Sequence, residues 1–280
     1  MALILVPTPL GNLRDITLRA LDVLRECELL VAEDTRVARR LLSALGLPAK
    51  PIWSYREQNA AAVTAPILER AGKGLVALTT DAGTPGISDP GRELVAAARE
   101  AGVAVEVLPG PCAFVSAAVL SGFDLGRLTF GGFVPRATGE RERVLREAVA
   151  SGATTAWYEA PGRIVATLRA LEAFAPGAPV FIARELSKLH EQQLAGTPAQ
   201  VLAGLANPPR GEFVLVLGAL SVPAVPAAPA AGDVDAELDR ALAAGASVAA
   251  AARDLARRGY GSRADLYRRA SSRRNAERDP

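Results

Sequence analysis

Eight short apolar runs alternate with stretches of helical spacing, and this alternation confines the chain to an α/β architecture. The runs are Leu3-Val6, Leu29-Glu33, Leu75-Thr79, Val103-Leu108, Leu128-Val134, Thr154-Glu159, Val180-Arg184 and Phe213-Leu217. Between the first two, Leu18, Leu21, Leu24 and Cys27 keep the spacing of one helix face; Gly46 followed by Pro48 predicts a helix stop, and Gly102 predicts another. A helix is expected from Cys112 to Gly122, closing a first α/β unit before strands restart at Leu128. The 280 residues, enough for about two domains, therefore divide into 1–120, 121–220, a Pro/Ala linker over 221–232 and a helical unit over 233–280.

Charge sharpens the last division. The net charge is +2, but residues 253–280 carry nine arginines against four carboxylates, +5, which leaves the first 252 residues at −3. Arginine abundance is itself uninformative, because 29 arginines against three lysines, beside 56 alanines, is a bias that GC-rich coding produces. The tail reads as three short helices: Val234 to Leu242, Val248 to Arg258 after a capping Ser247, and Arg263 onward after a capping Ser262. Its Gly259-Tyr260-Gly261 turn gives a helix-turn-helix-like pattern, so the tail is either a nucleic-acid arm or a solvated basic face.

Several classes are excluded. Phe213 to Gly232 is uncharged and about long enough to cross a membrane, but Pro223, Pro226 and Pro229 interrupt it. The apolar start ends at Pro7, too short for a signal peptide, and Cys27 and Cys112 lie far apart, so a reducing cytoplasmic setting without membrane contact is expected. Gly72-Lys73-Gly74-Leu75-Val76-Ala77 matches a dinucleotide fingerprint in letters but precedes a strand where it should follow one. His190 is the only histidine, so neither a His-rich zinc site nor a serine–histidine triad built elsewhere in the chain is available, and no metal is expected.

What remains is a set of turns at successive strand ends, where open α/β sheets bind ligands. They are Pro7-Thr8-Pro9-Leu10-Gly11-Asn12, Glu33-Asp34-Thr35-Arg36, Asp81-Ala82-Gly83-Thr84-Pro85 and Pro109-Gly110-Pro111-Cys112-Ala113. Each alone could be an ordinary tight turn. Together they suit a small amphipathic ligand, because glycine admits close backbone approach and proline holds amides and carbonyls ready. Cationic side chains are few, which disfavours a triphosphate; a sulfonium cofactor needs only carbonyls and a carboxylate such as Asp81.

At these turns the chain resembles the tetrapyrrole methylase superfamily, and within it the members that methylate a cytidine ribose 2′-hydroxyl in small-subunit ribosomal RNA. The resemblance runs from about Leu3 to Leu217 and extends through Ser88-Asp89-Pro90-Gly91, Gly132-Phe133-Val134-Pro135, Tyr158-Glu159-Ala160-Pro161 and Ala183-Arg184-Glu185-Leu186-Ser187-Lys188. It departs at Gly162, where relatives usually carry a histidine, and over Ser54 to Asn59, which lacks another.

The resemblance implies two α/β domains with S-adenosylmethionine in the cleft between them, a small C-terminal helix-turn-helix-like unit and a homodimer. It implies Pro7, Asp81, Gly83, Thr84, Pro85, Ile87, Cys112, Ala113 and, more weakly, Glu159 as cofactor residues. The partner would be small-subunit ribosomal RNA or the assembled subunit. Methyl transfer to a hydroxyl needs a group for its proton: Glu33, Asp34 and Glu185 are candidate bases, with Arg36 and Lys188 candidates for steadying the alkoxide. For RNA the candidates are Arg14, Arg184, Arg257, Arg258, Arg263, Arg268 and Arg269. The bland alternative makes Glu33, Asp34 and Arg36 a structural ion-pair turn opening a helix.

Overall fold

A computed structural model describes residues 1–220, 231–257, 260 and 262–276. Residues Met1–Leu220 form one compact unit and Ser221–Pro280 a second. Most of the expected linker, and Arg258, lie outside the described residues.

The first half of the larger unit runs β1 (Ala2–Leu5), α1 (Leu18–Glu26), β2 (Leu29–Ala32), α2 (Thr35–Ala44), β3 (Ile52–Ser54), α3 (Ala60–Ala71), β4 (Leu75–Thr79), α4 (Arg92–Glu100), β5 (Val105–Val107) and α5 (Ala113–Ser121). Its strands are all parallel, in the order β3-β2-β4-β1-β5. The reason lies in the unbroken apolar runs, which suit strands buried on both faces. Leu3 and Leu5 pack against Ile67 and Ala71 of α3 and Leu94 and Ala98 of α4. Ile4 and Val6 point the other way, to Ala20 and Leu24 of α1 and Ala38 and Leu42 of α2. Each buried leucine contributes about 1.5–3 kcal/mol. Adjacent central strands β1 and β4 send their connections to opposite sides, so the crevice of a topological switch point opens at their carboxyl ends.

The second half runs β6 (Leu128–Phe133), α6 (Thr138–Ser151), β7 (Thr154–Glu159), α7 (Ile164–Phe174), β8 (Val180–Arg184), β9 (Gln192–Gly196), α8 (Pro198–Gly204) and β10 (Phe213–Leu217). This sheet is mixed, in the order β6-β7-β10-β8-β9, with only β6 and β7 parallel. Trp157, Ile182 and Leu215 face α6, α7 and α8. On the opposite face Ala156, Ala183 and Val214 receive Ala113, Phe114 and Ala117 of α5. Helix α5 thus packs on the second sheet, and the chain changes sheets at Pro109–Cys112, ahead of the expected passage near residue 120. An all-round apolar helix carries no mark of which sheet it covers.

Two strands were not expected, β3 and β9, both at sheet edges. β3 has three residues, and Gln192–Gly196 is polar because its outer side meets water. The Gly72-Lys73-Gly74 match indeed closes α3 and leads into β4, with Lys73 bonded to Glu69 at 2.6 Å.

The second unit contains α9 (Ala231–Ala243), α10 (Val248–Arg257) and α11 (Arg263–Ala276). Val234, Leu238, Leu255 and Leu266 form its core, and the hydroxyls of Ser247 and Ser262 accept from the Ala250 and Asp265 amides as N-caps. Its charge corrects the sequence picture. Counted from residue 221, ten arginines face eight carboxylates, +2, so the remaining 220 residues are neutral and the +5 depended on cutting at residue 252. The arginines of α11 meet acids of α9 and of α11 itself: Arg269 lies 3.7 Å from Asp235 of α9 and 3.4 Å from Asp265, and Arg268 lies 3.2 Å from Asp265. Arg273 bridges Asp235 at 3.2 Å and also pairs with Asp239.

Candidate active site

The four turns meet because parallel strands bring all their carboxyl ends to one edge. Thr8 and Gly83 exchange backbone hydrogen bonds of 2.9 and 3.0 Å, joining the turn after β1 to the turn after β4. The Thr84 hydroxyl donates to the Pro111 carbonyl at 2.8 Å, which adds the turn after β5. Gly110 lies so near the Pro7 ring that a Cβ there would stand 2.5 Å from Pro7 Cβ. Gly83 has φ +85°, the left-handed region that glycine occupies without strain. Across the crevice, Gly11 abuts Ser187 and Lys188 after β8, so a loop of the second sheet closes onto the first turn.

Between the sheets lies a cavity of about 350 Å³. The first sheet supplies Leu10, Ala82, Gly83, Thr84, Ile87, Ser88 and Asp89; α5 supplies Ala113; the second sheet supplies Phe133, Tyr158 to Pro161, Ala183, Leu186 and Gly211 to Val214. One end is aromatic. Phe130 meets Tyr158 edge-on at 5.1 Å, Phe133 meets it at 5.5 Å, and Phe114 stacks on Phe130 at 4.1 Å. Burial pushes the Tyr158 phenol well above its ordinary range.

The acidic residues divide by their partners. Asp34 caps α2, accepting from the Arg36 amide at 2.8 Å and from the Arg36 guanidinium at 2.6 Å, and these bonds hold its carboxyl well below the carboxylate range. Burial favours a neutral Glu185, but the Glu212 amide at 2.9 Å and Lys188 Nζ at 3.0 Å outweigh it and keep it ionised. Lys188 reaches Glu212 as well, at 2.9 Å. Glu33 and Asp81 are raised, mainly by burial and in part by neighbouring carboxylates. Asp89 is the most displaced: burial, then Glu33 and Asp81, push it up to about 7. Its neighbour Ser88 holds φ +64°, a left-handed conformation costing a non-glycine residue about 1–2 kcal/mol.

Of the expected cofactor residues, Gly83, Thr84, Ile87, Ala113 and Glu159 line the cavity. Pro7, Asp81, Pro85 and Cys112 are not in its wall: Pro7 supports Gly110, and Asp81 accepts from the Asp34 amide at 3.2 Å. The Glu159 carboxylate is committed elsewhere, to the Thr167 hydroxyl at 2.6 Å, the Ala160 amide at 2.7 Å and Arg163 at 2.8 Å. Glu33, Asp34, Arg36, Glu185 and Lys188 are not in the cavity wall. Arg14 is exposed, and Arg184 donates to the Arg210 carbonyl. Arg263 is exposed, Arg268 and Arg269 are ion-paired, and of Arg257 only the helical backbone is described. Sequence reasoning did not single out Asp89, although its motif was visible, and had no signal for Gly211 to Val214. At Gly162 φ is not positive and a Cβ would meet nothing within 4 Å, so the backbone does not require glycine there.

Residues 2–202 match the family model described as Tetrapyrrole (Corrin/Porphyrin) Methylases. The chain is 40% identical over 217 residues to a Thermotoga maritima protein called Ribosomal RNA small subunit methyltransferase I, covering 77% of this chain and 97% of that one. A Mesorhizobium japonicum protein of the same name is 38% identical over 276 residues, covering 96% of this chain and 90% of the relative. Among solved structures, a diphthine synthase superposes with a TM-score of 0.62 at 16% identity, over 78% of this chain and 90% of that one, a likeness of fold.

Proposed function

Since the chain belongs to the tetrapyrrole methylase family, we propose that it is an S-adenosylmethionine-dependent methyltransferase acting on the 2′-hydroxyl of a cytidine in small-subunit ribosomal RNA. The observation that carries this is the knot of turns around the cavity between the sheets. Its donor set suits a sulfonium amino acid with an adenosyl group: Gly83 offers backbone without a crowding side chain, Phe133 and Tyr158 offer apolar faces, and the first sheet's share of the wall holds no cation. When bound, the sulfonium supplies an electrophilic methyl carbon. The chain's residues orient the two reactants, which in well-oriented intramolecular cases gains roughly 7–11 kcal/mol.

Calorimetry with S-adenosylmethionine tests the cavity, and mass spectrometry of small-subunit RNA from cells with and without the gene tests the acceptor. Micromolar binding and one methylated ribose lost with the gene are expected. No binding at millimolar cofactor would leave an inert RNA-binding fold; binding with an unchanged RNA pattern would point to another acceptor.

The C-terminal unit serves in this reading as an RNA arm. With Arg268, Arg269 and Arg273 neutralised by α9 and by Asp265, the described arginines of α11 left for phosphate contacts are Arg263 and Arg274, both exposed, the former one turn from the exposed Tyr267. Replacing both arginines by glutamine should flatten the dependence of log affinity on log salt by roughly 0.7 to 0.9 per arginine. An unchanged slope removes these two arginines from RNA binding. The reading includes a homodimer, supported by Val115 and Val119, one turn apart on α5 and 45% and 64% exposed. It also places the protein in the cytoplasm with its substrate.

A further inference from the structure

A second cavity, of about 250 Å³, adjoins the first. Its wall includes Tyr55 and Glu57 after β3, Arg92 and Glu93 at the start of α4, and Ser88 and Asp89, the two residues that also line the first cavity. Displacement at a methyl carbon brings nucleophile and leaving group to opposite sides. The acceptor's seat must therefore open onto the donor's at the reacting end, with a proton acceptor at the junction.

We propose that the second cavity seats the acceptor nucleotide and that Asp89, in the wall shared by both cavities, takes the proton of its ribose 2′-hydroxyl; this rests on the methyltransferase reading above. The ribose oxygen bonds to the methyl carbon while the carbon–sulfur pair remains on sulfur, and the proton passes to the Asp89 carboxylate and then to solvent. Among the described residues no other acid lines both cavities. Asp34 and Glu185 are held by Arg36 and Lys188, and Glu33 lines neither cavity. The walls suit a nucleotide bearing an exocyclic amine, because carboxylates such as Glu57 and Glu93 accept from the cytosine amino group where a uracil oxygen would be repelled. Arg92, 88% exposed and 4.0 Å from Glu93, stands at the rim for a phosphate.

The surroundings also tune Asp89 for the task. Glu33 after β2, Asp81 after β4, Glu212 before β10 and Tyr158 on β7 surround it, and the nearby Thr80 side chain partly offsets their effect. On the side of the second cavity it shares the wall with Tyr55, Glu57, Arg92 and Glu93. A base that titrates near neutrality is half ready at working pH and strong enough to help.

The test uses the full chain and small ribosomal subunits lacking the methyl group. Single-turnover methylation should rise with pH through about 7 in the native protein, tracking the carboxyl carbon signal of Asp89 in a nuclear magnetic resonance titration without cofactor. Asp89→Asn should slow transfer by roughly 10²- to 10⁴-fold and abolish that limb, while S-adenosylmethionine affinity stays within about threefold; Asp89→Glu should restore part of the rate. Cytidine 5′-monophosphate should shift the Tyr55, Arg92 and Glu93 amides, and Arg92→Ala should weaken that binding. Asp89→Asn turning over within tenfold of the native rate, or nucleotide shifts elsewhere, overturns the proposal while leaving the methyltransferase reading intact. Native protein that binds no S-adenosylmethionine removes that reading instead.

Discussion

Glu159→Ala will lower the unfolding free energy by about 3–5 kcal/mol, the usual cost of removing one partner from a buried ion pair. The Glu159 side chain has no exposed surface, and its two oxygens hold the Arg163 guanidinium, the Thr167 hydroxyl and the Ala160 amide at once. Alanine leaves all three without their acceptor, and Arg163, 23% exposed, can be only partly rehydrated. Against a typical total of about 5–15 kcal/mol, that is a large share. The effect will also reach the cavity, because Glu159, Ala160 and Pro161 are part of its wall. Urea titration of the native and variant proteins measures it, and a loss below about 1 kcal/mol would mean that water already serves these groups.

Gly110→Val will weaken S-adenosylmethionine binding by about 100-fold, or roughly 2.7 kcal/mol. The first atom of the new side chain would lie 2.5 Å from Pro7 Cβ and 2.9 Å from Pro7 Cγ, both in a ring that cannot swing aside. Pro7 must shift, and with it Thr8, whose backbone bonds to Gly83 hold the turn that lines the cavity. Overpacking of this kind costs about 1–3 kcal/mol locally. Gly162→Ala is the control, since its new methyl would meet nothing within 4 Å. Calorimetric titration of both variants decides: equal affinity in Gly110→Val and Gly162→Ala would show that the turns are not coupled.

The sequence was informative where burial leaves a pattern. Leu75-Thr79, Thr154-Glu159, Val180-Arg184 and Phe213-Leu217 are strands with those very ends, because each is a central strand whose residues are almost all buried. Ile52–Ser54 and Gln192–Gly196 escaped because edge strands need no continuous apolar run. The gathering of the turns was also legible, since strand ends in a parallel sheet share an edge whatever their order. Which acid matters was not. Glu33, Asp34 and Glu185 drew attention by standing at strand ends, but partners decide their chemistry, and Arg36 and Lys188 claim two of the three. Asp89 sits eight residues beyond Asp81, in a loop whose path between two cavities no local pattern records. The basic tail was overstated for the same reason: Asp235 and Asp239 are distant in sequence from the arginines they neutralise.

The two sheets have separate cores, yet the cavity takes walls from both. A molecule held there acts as mortar between two blocks that otherwise meet through loops and one shared helix. Binding at a hundred times the dissociation constant adds about 2.7 kcal/mol to the folded state, a stabilisation lost when the cell's supply of that molecule falls. The resistance of the two sheets to unfolding therefore rises and falls with the occupancy of the space between them.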